Sequence, residues 1–149
     1  MFKPILKDST AMDKLDKEKR SWNMSRIHSK DTVLELKVRR FLFAKGLHYR
    51  LHSDLPGKPD IVFRGKKKVI FINGCFWHGH KKCKVFRIPK SNISFWKKKI
   101  NANIIRDERN YRYLRKSAWK MRIVWECRLD KNCDNQLENL FHWIVKEDI

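Results

Sequence analysis

The sequence predicts a mixed α/β (α+β) domain, a small mixed β-sheet flanked by helices, on three observations. Two short apolar runs, Ile61-Val62-Phe63 and Val69-Ile70-Phe71-Ile72, stand on either side of a basic turn and read as strands. Apolar residues at helical spacing lie before them, at Leu34, Val38, Phe41 and Leu42, and after them, at Trp96, Ile100, Ile104, Tyr111 and Leu114. A third apolar run beginning at Met121 precedes a final helical pattern, so helices and strands interleave as in a layered domain. At 149 residues the chain is long enough for one core and too short for two.

Residues 1–20 carry many charges and few large apolar groups, and are expected to form a flexible basic arm; residues 21–149 make the single folded domain. Ser21 to Ser29 contains Trp22, Met24 and Ile27 and suits a short docking helix. Asp31-Thr32 can cap a helix that runs to about Lys45 and stops at Gly46. Leu47 to Leu51 reads as a short strand. Leu55-Pro56-Gly57-Lys58-Pro59 forms a rigid turn into a strand at Asp60 to Phe63. Arg64 to Lys67 turns the chain, and Lys68 to Ile72 returns it. Near-continuous apolar character predicts that both strands are buried on both faces. A long helix is expected over Ser94 to Ala118, another buried strand over Met121 to Glu126, and a last helix capped by Asp134 with Leu137, Leu140, Phe141 and Ile144 inward.

Lys and Arg number 36 against 16 Asp and Glu, a formal charge of +20. Such an excess describes partners rather than fold, and favours a polyanion. No apolar run approaches the roughly 20 residues that cross a bilayer, and Met1 to Arg20 lacks the apolar stretch of a secretory signal. A cytoplasmic protein with reduced thiols is expected.

Between Asn73 and Cys83 an apolar strand ends at Gly74 and releases two thiols, two imidazoles and two adjacent rings. Cys75, His80 and Cys83 share this loop, and Cys127 ends another predicted strand that a sheet could bring alongside. Three thiolates with one imidazole would make a closed, structural zinc site. The spacing equally suits small buried hydrophobes, and both readings stand. His78 is the spare imidazole. Asp60, opening a strand whose partner leads to His78, suits a Mg²⁺ ligand, which prefers oxygen donors; it also suits a plain strand-end residue. With a metal to neutralise developing phosphate charge and activate water, and a neutral His to move a proton, phosphodiester hydrolysis becomes possible. Glu35 flanks the first helix's apolar stripe, either overlooking the site or pairing with Arg39 at i,i+4. Phe76, Trp77 and Trp96 lie amid Lys and Arg, as core or as rings that stack on bases.

Several segments, in the same order, resemble the very-short-patch repair (Vsr) DNA mismatch endonucleases of bacteria. They are Arg20-Ser21-Trp22-Asn23-Met24, Lys30-Asp31-Thr32, Leu55-Pro56-Gly57-Lys58-Pro59-Asp60, Gly74-Cys75-Phe76-Trp77-His78, Phe95-Trp96 with Lys99-Ile100, Arg106-Asp107, and Val124-Trp125-Glu126-Cys127. The resemblance implies a restriction-endonuclease-like fold. It implies a monomer, associated with the bacterial nucleoid, that makes a Mg²⁺-dependent nick in double-stranded DNA. The nick falls on the 5′ side of the mismatched T in a T·G pair left by deamination of 5-methylcytosine. It also implies a functional link to a cytosine-5 DNA methyltransferase and to mismatch-repair proteins.

By position, the resemblance makes Asp60 the principal Mg²⁺ ligand, joined by the backbone carbonyl of Ile72. His78 becomes the active-site histidine and Glu35 a helper through metal-bound water. Cys75, His80, Cys83 and Cys127 become zinc ligands. Phe76, Trp77 and Trp96 wedge in from the major groove, and Met24 and Ile27 touch the minor groove. Cys133 falls outside the pattern. Asn73 departs from the His or Asp common at its position; it can donate to a phosphate but cannot act as a base. The spacer from Gly79 to Lys82 also differs, leaving His78 as an alternative to His80 in the zinc set. A sequence-specific or relaxed endonuclease of the same fold, or a catalytically impaired zinc module that binds mismatches, are the alternative functions.

Overall fold

Alternation along the strands decides which side of the sheet each apolar residue covers, and the helices follow from that division. The computed structural model describes residues 31–147. The expected arm, the boundary at 20/21, and the candidates Met24 and Ile27 lie outside the described residues.

Helix α1 spans Val33–Ala44. Thr32 caps it through a reciprocal box: the Glu35 N–H donates to Thr32 Oγ1 at 3.2 Å, while the Glu35 carboxylate accepts from the Asp31 N–H at 2.9 Å. Strand β1, Ile61–Phe63, pairs antiparallel with β2, Lys68–Asn73, across a 3₁₀ turn at Arg64–Lys66. Helix α2, Ile93–Lys116, returns the chain to β3, Lys120–Trp125, which runs parallel to β2. Two further helices complete the described chain, α3 at Glu126–Lys131 and α4 at Cys133–Val145. The sheet order β1-β2-β3 is the mixed sheet expected.

Ile61, Phe63, Ile70, Ile72 and Val124 project to one face. There they meet Val38 and Leu42 of α1, Leu129 of α3, and Leu137, Leu140 and Ile144 of α4. Val62, Val69 and Phe71 project to the other face and pack on Tyr111 and Leu114 of α2. Helices therefore cover both faces, and β1 and β2 are buried throughout, as their continuous apolar character requires. Among the described residues, no helix is long and apolar enough to cross a membrane.

Four details depart from the sequence expectation. Leu47 to Leu51 forms no strand: only Arg50 pairs, with Val62, because β1 offers three residues to pair with. Strand β3 is an edge strand in which Val124 alone is fully buried. Helix α3 was not anticipated, and the last helix begins at Cys133 after Asn132, without a side-chain cap from Asp134. Lys68 sits inside the core at 2% exposure.

Lys68 is accommodated by helix ends. Its Nζ donates to the backbone oxygens of Trp143 at 3.0 Å, Ile144 at 3.3 Å and Lys146 at 2.7 Å, carbonyls that α4 leaves without intrahelical partners. The positive charge also complements the helix C-terminus and pins α4 to the first residue of β2. Lys68→Met keeps the aliphatic stem and strands these carbonyls, so it should cost about 1.5–3 kcal/mol, read as a lower denaturation midpoint at unchanged m-value. A midpoint equal to wild type would show that the three contacts contribute nothing.

Candidate active site and metal centre

The carboxyl-terminal end of β2 gathers side chains from four elements. Asp60 lies just before β1, its N–H on the Ile70 oxygen at 3.0 Å. Its Oδ2 accepts the Ile72 N–H at 2.7 Å, so the carboxylate is held by the strand end whose carbonyl lies one peptide further on. Burial pushes Asp60 up to about 6; the Ile72 N–H opposes the rise and the Glu35 charge adds to it. Arg39 and His78 also act on it, so Asp60, Glu35, Arg39 and His78 share one electrostatic neighbourhood.

Glu35 is buried at 5% exposure, and Arg39 Nη2 donates to its Oε2 at 3.0 Å. The i,i+4 pairing weighed from the sequence is therefore present, within reach of the charge on Asp60. Arg39 also pairs with Asp31, and its backbone oxygen accepts from the Tyr49 hydroxyl at 2.9 Å. Arg39 Nε is the buried side-chain atom without a hydrogen-bond partner among the described residues.

His78 enters from the loop after β2. Its Nδ1 lies 2.6 Å from Asp107 Oδ2 on α2. Burial raises Asp107, but the hydrogen bond and charge of His78, with those of Arg106, outweigh it and hold the carboxyl below its usual range. Asp107 is thus an ionised acceptor, and Nδ1 donates to it. Sequence reasoning gave Asp107 no role. The available signal was its isolation: residues 61–106 contain neither Asp nor Glu.

Asn73 is buried at 3% exposure, and its Nδ2 donates to Tyr111 Oη at 2.9 Å. Tyr111 lies four residues after Asp107, so this bond ties the end of β2 to the helix turn behind the imidazole. Burial pushes the Tyr111 phenol up to about 12, against the Asn73 hydrogen bond and with the charges of Asp107, Glu108 and Asp60, so it keeps its proton. A cavity of about 320 Å³ opens here, its lining including Asn73, His78, Asp107, Glu108, Tyr111 and Trp125.

The adjoining loop is folded around a second cluster. One ligand atom from each of Cys75, His80, Cys83 and Cys127 lies within 4.8 Å of the others, a group that could hold a metal ion. His80 Nδ1 is 3.5 Å from both Cys75 Sγ and Cys127 Sγ. His80, not His78, joins the thiols. Burial, then the charge of Arg128, lowers the His80 pKa and keeps its lone pair available. The ring stacks on Trp125 at 4.0 Å and 7°. Burial pushes the Cys75 thiol up to about 12, opposed by the Cys127 N–H, so Cys75 keeps a proton that a bound cation would displace, whereas, against desolvation, the N–H groups of Phe86 and Val85 help hold Cys83 lower. Glu126 Oε2 accepts the Cys75 N–H at 3.0 Å. Gly79, at φ +58°, separates the two imidazoles. A Cβ there would stand 2.6 Å from Ile104 Cδ1, so the loop lies directly on α2.

Beside this cluster Phe76, Trp77 and Trp96 form one half-exposed group. Phe76 lies 5.1 Å from Trp77 and 5.3 Å from Trp96, with the rings edge to face. Lys99 Nζ sits 5.8 Å above both Trp77 and Phe95, and Asn103 Nδ2 holds the Trp77 oxygen at 2.9 Å. Imidazole, carboxylates, a metal-competent cluster and rings thus crowd one end of the sheet.

The family model for the DNA mismatch endonuclease Vsr matches residues 12–84. The chain is 41% identical over 137 residues to the DNA mismatch endonuclease Vsr of Escherichia coli, covering 89% of this chain and 87% of that one. This chain belongs to the Vsr family. It is also 44% identical over 118 residues to the type II nicking enzyme V.XorIIP of Xanthomonas oryzae, covering 78% of this chain and 86% of the relative. With V.NmeAIP, a type II nicking enzyme of Neisseria meningitidis, identity is 47% over 125 residues, covering 82% and 89%. A Vsr family member is a DNA endonuclease, and the half-buried acid, the imidazole pair and the basic surface are read in that light.

Asp60 binds a proton more tightly folded, at about 6, than unfolded, at 3.8. Its ionisation therefore opposes folding above pH 6, and the penalty fades as pH falls from about 6 towards 4. Asp60→Asn keeps an acceptor for the Ile72 N–H. Without added Mg²⁺ it should stabilise the protein by about 1–3 kcal/mol at pH 7 to 8, and the gain should vanish near pH 4, measured by thermal denaturation across pH. A gain independent of pH would remove the burial argument.

Proposed function

We propose that this Vsr-family endonuclease nicks one strand of duplex DNA on the 5′ side of the mismatched T in a T·G pair, by Mg²⁺-dependent hydrolysis. The observation that carries the reading is the pairing of His78 with an ionised Asp107 beside the half-buried Asp60. A catalytically impaired mismatch-binding module would have no need of that arrangement.

Asp60 fits a hard cation. Its half-buried carboxylate has one hydrogen bond, from Ile72, and its raised pKa marks a negative charge short of compensation. Asp60 and the Ile72 carbonyl would hold Mg²⁺, which supplies charge neutralisation at the phosphate and a more acidic water. His78 Nε2 takes the proton of the attacking water as the new phosphorus–oxygen bond forms; the bond to the sugar oxygen breaks with its electron pair on that oxygen, which takes a proton from solvent to leave as the hydroxyl. Asp107 fixes the tautomer and steadies the imidazolium. Glu35 orients water from the α1 side and holds Arg39. Asn73 locks the strand end through Tyr111 rather than reaching a phosphate as a base.

The second cluster fits Zn²⁺. Typical zinc–sulfur and zinc–nitrogen bonds of a tetrahedral site place sulfur and nitrogen about 3.5 Å apart, the separation of His80 from Cys75 and Cys127. Three thiolates and one imidazole leave no open position, so the role is structural: the ion pins the loop that presents Phe76 and Trp77. These rings, with Trp96, wedge into the stack, and Met24 and Ile27 approach from the minor groove. Unstacking a step costs a few kcal/mol, least at a mismatched pair, and this selects T·G. Such pairs arise where a cytosine-5 methyltransferase has acted and the product has deaminated, which places the protein in the bacterial cytoplasm with the mismatch-repair apparatus.

Two strand-labelled duplexes, identical except for T·G in place of C·G and set in several flanking contexts, test the reaction. A nick 5′ of the T that needs Mg²⁺ and spares the matched duplex is expected from wild type. Asp60→Asn should abolish it and Asp107→Asn should slow it about 100-fold or more, both with mismatch binding intact. Equal cutting of both duplexes would replace the proposal with a sequence-specific or relaxed endonuclease. Separately, Cys127→Ser should lose bound zinc by elemental analysis and lower the melting temperature; undiminished zinc content would remove Cys127 from the site.

A further inference from the structure

The two ends of the sheet differ in what they carry. The acids and rings of the site gather at the carboxyl-terminal end of β2. At its other end the chain places the 3₁₀ turn at Arg64–Lys66, Lys67, the last turns of α2 and the start of β3. The Lys120 N–H donates to the Lys67 oxygen at 2.8 Å, so the turn and the α2–β3 connection are neighbours. Arg64, Lys66, Lys67, Arg112, Arg115 and Lys116 are all exposed at this end. Residues 61–106 and 109–125 contain no Asp or Glu to offset them. Glu147, beyond α4, is the acid nearest in sequence to the contacts of Lys68, and Asp148 follows it.

This charge is placed at a cost. Like charges on one short turn repel. Lys67 moreover takes φ 48°, a left-handed backbone that favours glycine or asparagine and is costly for a lysine. The basic end also faces away from the nicking site. Five residue steps along β2 span roughly 16 Å, and nineteen along α2 separate Trp96 from Arg115 by roughly 28 Å.

We propose that this basic end is a second DNA contact, which holds a separate duplex segment by its phosphates while the first lies against the site. The occupant is duplex DNA because the substrate is always attached to more of the same polymer, and because phosphate contacts need charge without base readout. An anionic membrane would need apolar anchors as well; Tyr113 is the one exposed large ring on the last turns of α2 among the described residues. Holding two segments lets the protein pass between distant sites without free diffusion.

The test uses the full chain with its zinc and without added Mg²⁺. A bead-tethered T·G duplex is saturated at one protein per duplex, and capture of a free, labelled, matched duplex is followed from roughly 50 to 200 mM salt. Wild type should capture it. The variant Arg64→Gln/Lys66→Gln/Arg115→Gln/Lys116→Gln should capture at least tenfold less. Its log–log salt slope should be lower by about 3.6, at about 0.9 per lost cation. Nicking of a short T·G duplex should stay within twofold. Lys67→Gly removes one cation while relieving the left-handed backbone, so it keeps the fold and should lower the slope by about 0.9. Absent capture by wild type, equal capture by the variants, capture that tracks dimerisation in sedimentation, or parallel loss of nicking would each overturn the second contact. So would charge-dependent binding to phosphatidylserine vesicles in place of duplex capture. Capture is read without cleavage, so failure of the T·G reaction would leave this result standing.

Discussion

The hydrogen bond from the Ile72 N–H to Asp60 Oδ2 is the constraint on which the site depends. Strand β2 is buried on both faces and flanked by both other strands, so its end cannot move without disturbing two cores. Every functional group takes its place from that end. Asp60 hangs on the Ile72 amide, and Asn73 reaches Tyr111 and so fixes α2 one turn from Asp107. Cys75, two residues on, is held by Glu126 at the end of the parallel strand. A displacement of β2 would therefore spoil the acid, the imidazole pair and the cysteine cluster together.

The two proposed metal positions differ in the hardness of their donors. Oxygen from Asp60 and a peptide suits a cation that exchanges water readily, whereas sulfur and nitrogen around His80 suit one that stays. The loop between them is short, and its conformation is set by the cluster rather than by regular backbone pairing. That accounts for rings left half-exposed in a chain with ample core to bury them. They adjoin the cysteine cluster on one side and are held by Asn103 and Lys99 on the other.

Much of this was legible in the sequence, and the rest was not for definable reasons. The amphipathic spacing of α1, α2 and α4 and the apolar runs of β1 and β2 follow from periods that local composition carries. Helix α3 did not show itself, because six residues with a single buried leucine have no period to read. Lys68 ends a Lys-Lys-Lys run and opens β2, and strand register is what turns it inward. The Asp107 partnership spans 29 residues and needs a helix laid across a sheet end, which no local pattern announces. The cluster of Cys75, His80, Cys83 and Cys127 was visible as chemistry, but its choice of His80 over His78 depends on how the chain turns at Gly79.

That turn binds two distant positions into one inherited unit. A side chain at position 79 would collide with Ile104, so neither residue is free to drift alone. A descendant that acquires bulk at 79 must make room at 104 and at 100 and still hold a left-handed backbone, or surrender the turn that parts the two imidazoles. Across diverging sequences the pair should be read as a single character, written in two places 25 residues apart.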